Sequence, residues 1–104
     1  MIRQKKFDGV IDTVHYAADG QIEWVRAYER VGFVFTDILT LDRQTLINRL
    51  KDGARFFIGK RMPYVGNEFE LSEKVRLEGK KGAEFVVVGE TKGNKDSLEG
   101  VPIF

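Results

Sequence analysis

Apolar and polar residues alternate with a period of two along much of this chain, the spacing of strands with one buried face. One stretch departs from that rule. Between Asp42 and Gly53 the apolar residues Leu46, Ile47 and Leu50 recur at helical spacing, with Arg43, Gln44, Asn48, Arg49 and Lys51 covering the other side. The ends of the stretch agree with its middle. Asp42 is suited to cap orphan N–H groups of a first turn, and Leu41 and Leu46 occupy the two positions of a hydrophobic staple. Lys51 complements the negative end of the helix dipole, and Gly53 supplies the left-handed residue that commonly ends a helix. The pattern predicts one helix over about 43–52. Its apolar stripe is too narrow for half of a helical core, so the helix must cover an end or edge of something else.

The rest reads as strands. Lys6 to Tyr16 is rich in β-branched and aromatic residues, and Gly9 inside it predicts a bulge or sharp bend. Ala18-Asp19-Gly20 is a turn signal. Ile22 to Val31 is a second strand with two mixed faces: Ile22, Trp24 and Tyr28 share one with Arg26 and Arg30, and Val25 and Ala27 share the other with Glu23 and Glu29. After Gly32, Phe33 to Leu41 places Phe33, Phe35, Leu39 and Leu41 on one face. Asp37 is out of place there, and a turn at Thr36-Asp37 would leave a short strand before the helix.

Beyond the helix, Ala54 to Arg61 is strand-like, and Pro63 to Asn67 reads as a loop. Phe69, Leu71, Val75 and Leu77 alternate with polar residues, with Glu73 interrupting the apolar side. Gly79-Lys80-Lys81-Gly82 is a hairpin turn, Phe85 to Val88 a candidate central strand, Thr91 to Glu99 a loose polar loop, and Val101 to Phe104 an apolar ending that docks onto the body or a partner. These elements predict a mainly β fold: a small β-barrel or rolled antiparallel sheet of about six strands, with one helix after the third, in a single domain spanning 1–104. That order of elements resembles an oligonucleotide/oligosaccharide-binding barrel, in order alone.

Composition narrows the field of functions. The chain has 104 residues with 42% hydrophobic and 32% charged content, ordinary for a soluble globular protein. Having no cysteine, it can form neither disulfides nor cysteine metal sites. No apolar run approaches the roughly 18 residues of a membrane span, and the basic start is not followed by a signal-peptide core, so a cytoplasmic address without membrane contact is expected. The net charge of +1 implies no polyanionic partner by itself.

Catalytic signals are sparse. His15 is the only histidine, Ser72 and Ser97 are the only serines, and Asp12 is the candidate orienting group. Neither serine lies in a nucleophile-elbow glycine pattern. Asp8 and Asp12 lie four apart and suggest a hard-cation site only remotely, since no calcium-loop pattern accompanies them. Gly79 to Gly82 and Gly89 to Gly93 lack the spacing of phosphate and dinucleotide loops. The expectation is therefore no cofactor, no metal and no catalytic residue.

One charge asymmetry stands out. Asp42 to Arg61 carries Arg43, Arg49, Lys51, Arg55, Lys60 and Arg61 against Asp42 and Asp52, a net of +4 in a chain of +1. Phe56, Phe57 and Tyr64 are interleaved with these cations. A core role for the phenylalanines and a snorkelling role for the arginines account for the pattern; so does a single-stranded nucleic-acid surface built from Arg49, Arg55, Lys60, Arg61 and Tyr64. The leading expectation is a non-enzymatic binding or accessory module whose partner is a protein or a second copy of the chain. Weak nucleic-acid binding through residues 49–64 is the alternative, and a carboxylate metal-dependent enzyme the remote one.

Overall fold

In the computed structural model, which describes residues 7–62, 69–89, 95–98 and 100–103, the helix forms where its local signals place it. Helix α1 is Arg43–Lys51. The Asp42 carboxylate accepts from the Thr45 amide at 2.7 Å, and Gly53 closes the helix at φ +91°. Leu41 and Leu46, the staple pair, are both buried in the main core.

The described residues form seven strands: β1 (Gly9–Tyr16), β2 (Ile22–Val31), β3 (Val34–Phe35), β4 (Leu39–Asp42), β5 (Phe56–Arg61), β6 (Phe69–Lys80) and β7 (Ala83–Val88). The expected third strand is thus two short ones, broken at Thr36 to Ile38. Thr36 bonds back to Glu29 there through both its amide (2.8 Å) and its hydroxyl (3.1 Å). The strand order is β3-β2-β1-β5-β6-β7, with β4 also on β2, and the sheet curls into a half-barrel whose ends do not meet. The sheet is not antiparallel throughout. β1 and β5 run parallel, Gly9 to Ile11 beside Phe56 to Ile58, because α1 carries the chain back before β5 begins.

Three register shifts explain why the faces looked mixed in sequence. β1 carries an extra residue at Asp12, β2 at Glu23 and β6 at Ser72-Glu73. Each shift moves the apolar residues beyond it to the opposite face, as a one-residue slip must. Ile22 thereby joins Val25 and Ala27 in the main core, while Trp24, Arg26 and Tyr28 lie on the other side. Phe69 belongs to a second cluster and Val75 to the main one, with Glu73 at the crossover. Gly9 is not the bulge. A Cβ there would lie 2.4 Å from the Phe56 ring, so glycine makes room for the largest fully buried side chain.

The main core packs one face of the sheet under α1, with Leu46, Phe56, Val86 and Leu98 among its members. The other face holds a smaller aromatic cluster of Phe7, Val10, Phe57 and Phe69, flanked by Tyr28, Phe35 and Leu71. Phe7 stacks on Phe35 with centroids 5.1 Å apart and meets Phe69 edge-on at 6.0 Å. No described helix is long and apolar enough to cross a membrane.

Candidate functional site: a bare apolar sheet edge

The two edges of the sheet are finished differently. At the β7 edge, residues 95–98 lie alongside the strand. The Ser97 amide donates to the Val86 carbonyl at 2.8 Å, and Leu98 is buried in the main core. Asp96 anchors this segment. Its buried carboxylate accepts from the amides of Ile22 and Val86, both at 2.8 Å, and from Nε of Arg43 at 2.8 Å. Nη2 of Arg43 adds a contact at 3.2 Å and donates to the Glu84 carbonyl at 2.7 Å. Burial pushes this carboxyl up, but the Arg43 guanidinium and the two amides outweigh it and hold it below the ordinary aspartate value. The expected loose loop from Thr91 to Glu99 is, over 95–98, a fixed clamp.

At the opposite edge the outward sides of β3 and β4 have no strand partner among the described residues. The two-residue turn Gly32-Phe33 joins β2 to β3, with Gly32 at φ +64°. Phe33 at its tip is fully exposed, at 101%, and Val31, Val34, Ile38 and Leu39 are exposed beside it, Val31 at 62%. Five large apolar side chains within nine residues of one edge are more than a scattered set of surface hydrophobics. From Val31 to Asp42 the chain carries Asp37 and Asp42 and no cation. An unpaired apolar edge is normally blunted by lysine, proline or a covering segment; here only the shortness of β3 and β4 and the break between them do so. The sequence signal was present in Val31 to Leu39, where apolar residues fill positions of both parities, more than one buried face can absorb.

The basic segment is dispersed by the fold. Arg49 pairs with Glu29 at 3.0 Å, Lys51 with Glu84 at 3.0 Å, Arg43 with Asp96 at 2.8 Å, and Arg55 with Asp8 at 3.3 Å. The Arg55 amide also donates to Asp8 at 2.8 Å, and together these contacts lower the Asp8 carboxyl. Four of the six cations are thus matched by carboxylates distant in sequence. Lys60 and Arg61 alternate to opposite sides of β5: Lys60 borders a cleft, while the Arg61 guanidinium lies 5.6 Å from the Tyr28 ring. Tyr64 lies outside the described residues.

The groups considered for catalysis are likewise apart. The cleft, about 390 Å³, opens where β1 and β5 diverge beyond Ile11 and Ile58, and it includes Asp12 and Ser72 but not His15. His15 instead stacks on Trp24 at 4.9 Å, its Nε2 3.9 Å from Glu23. Ser97 belongs to the β7 clamp. Among the described residues no three His, Asp or Glu side chains converge to hold a metal ion. No protein-family model, no curated protein and no solved structure matches the chain.

Proposed function

We propose that this protein is a binding module that takes an extended segment of another protein onto its β3–β4 edge. The observation that carries the reading is the exposure of Val31, Phe33, Val34, Ile38 and Leu39 along an edge whose backbone has no strand neighbour among the described residues. An added strand satisfies edge N–H and C=O groups while alternate side chains cover the apolar ones. The two aspartates and the lack of cations between Val31 and Asp42 favour a partner segment with lysine or arginine at its ends. The same charges disfavour a second copy, which would bring aspartates to aspartates.

Two synthetic peptides of alternating valine and threonine, one flanked by lysine and one by glutamate, test this in a fluorescence-anisotropy titration. The lysine-flanked peptide binds, and the glutamate-flanked one binds about 2- to 30-fold more weakly, the range of two exposed ion pairs. Phe33→Ser lowers affinity about tenfold or more, because burying a phenylalanine is worth roughly 1.5–3 kcal/mol. Failure of both peptides to bind overturns the reading. So does a concentration-dependent dimer that Phe33→Ser abolishes, which would make the edge a self-association surface.

A further inference from the structure

The face opposite α1 continues along β2 beyond its aromatic cluster, which Tyr28 touches through Phe69 with centroids 5.2 Å apart. Across it β2 alternates aromatic and cationic residues, Trp24, Arg26, Tyr28 and Arg30, all on one side of the strand. Neighbouring strands reinforce the pattern. His15 of β1 stacks on Trp24 with an interplanar angle of 11°. The Arg26 guanidinium lies 5.8 Å from the Trp24 ring, and that of Arg61 from β5 lies 5.6 Å from Tyr28. Trp24, Arg26, Tyr28 and Arg61 are only half-buried in the middle of a sheet, and Arg30 is exposed. Asp12, Asp37 and Arg61 all lie close enough to act on the Tyr28 hydroxyl, and the guanidinium groups set beside the rings of this face are those of Arg26, Arg30 and Arg61. The Phe7 ring lies 5.7 Å from the Arg30 guanidinium, whose Nε donates to the Phe7 carbonyl at 3.1 Å and so fixes it on this face.

We infer that this face binds single-stranded nucleic acid, with bases against Trp24 and Tyr28 and phosphates along Arg26, Arg30 and Arg61. Rings on a sheet face accept any base, while guanidinium groups follow the backbone. Trp24 and Tyr28 are four residues apart on one strand, about 13 Å, so they meet different bases. This surface rests on different residues from the β3–β4 edge, and the two can succeed or fail separately. It also shares only Arg61 with the set expected from sequence.

Trp24 is the only tryptophan in the chain, so its fluorescence reports directly from the surface. In a titration with oligo-dT at low salt, Trp24 emission is quenched. Three phosphate contacts give a log–log salt slope near −2, an affinity loss of about 100-fold for a tenfold rise in salt. Arg61→Ala and Arg26→Ala each weaken binding and each make the slope shallower by about 0.7. Trp24→Phe keeps a stacking ring and leaves affinity for a dye-labelled oligonucleotide within about threefold, and Phe33→Ser leaves it unchanged. Circular dichroism on each variant verifies folding. The inference is overturned if oligo-dT neither quenches nor binds, if both arginine variants bind as the parent does, or if a base-free polyanion such as heparin quenches equally.

Discussion

The β7 edge and the β3–β4 edge belong to one sheet and solve one problem in opposite ways. An unpaired strand edge invites pairing with another chain. At β7 the chain answers with its own residues 95–98, held by a carboxylate that satisfies two amides and a guanidinium. At β3–β4 nothing among the described residues answers, and the side chains left outside are valine, phenylalanine, isoleucine and leucine. A fold that equips one edge with a buried ion pair and leaves the other apolar and bare has separated stability from availability. Substitutions at the first edge should therefore cost stability, and those of the exposed apolar side chains at the second should cost binding alone.

The largest effect is expected from Asp96→Ala. It strands the Arg43 guanidinium and leaves the amides of Ile22 and Val86 without their acceptor, a loss of about 3–5 kcal/mol, measurable by urea denaturation. Leu98→Ala comes next at roughly 2–5 kcal/mol, the range for truncating a buried leucine; a loss below that range would mean the clamp packs less tightly than its burial implies. Acid separates the edges by another route. The Asp96 carboxyl titrates lower in the folded chain than in the unfolded one, so its stabilisation is complete above its unfolded value, near pH 4, and fades as pH falls through the folded value. Asp96→Asn should flatten that acid limb in melts taken from neutral to acidic pH, whereas Phe33→Ser at the bare edge should leave it in place.

Asp42→Ala, which removes the helix cap at the last residue of β4, should cost about 1 kcal/mol. The smallest effect on stability belongs to Phe33→Ser, within about ±0.5 kcal/mol for an exposed site. That variant should melt like the parent and lose the peptide. A large fall in its melting temperature would show that Phe33 packs against the body of the protein after all.

What was legible in the sequence was local. The helix announced itself because its cap, staple, stripe and closing glycine lie within a dozen residues of each other. Ile22 to Val31 was bounded by turn residues at both ends. The fold class followed from these pieces. Invisible were the contacts joining distant segments. The clamp pairs Arg43 with Asp96 across 53 positions, and Arg55 meets Asp8 across 47. For that reason a segment of net +4 looked like a surface when most of it was charge matched from afar. The bulges at Asp12, Glu23 and Ser72-Glu73 hid the two faces of the sheet, since a pattern read with unbroken parity assigns Trp24 and Ile22 to the same side. The apolar excess in Val31 to Leu39 is readable, but alternation alone sets Phe33, Phe35, Leu39 and Leu41 on one face, and only the strand order reveals that the stretch borders the outside of the sheet.

Amide hydrogen exchange with and without the lysine-flanked peptide tests the central claim most directly. In the free protein the amides of β7 should exchange slowly and those of Phe35 and Thr40, which face away from β2, fast. With peptide bound, protection should rise along β3 and β4 and remain as it was along β7. Slow exchange at β3–β4 in the free chain, or peptide protection appearing elsewhere while those amides stay fast, would contradict the docking edge.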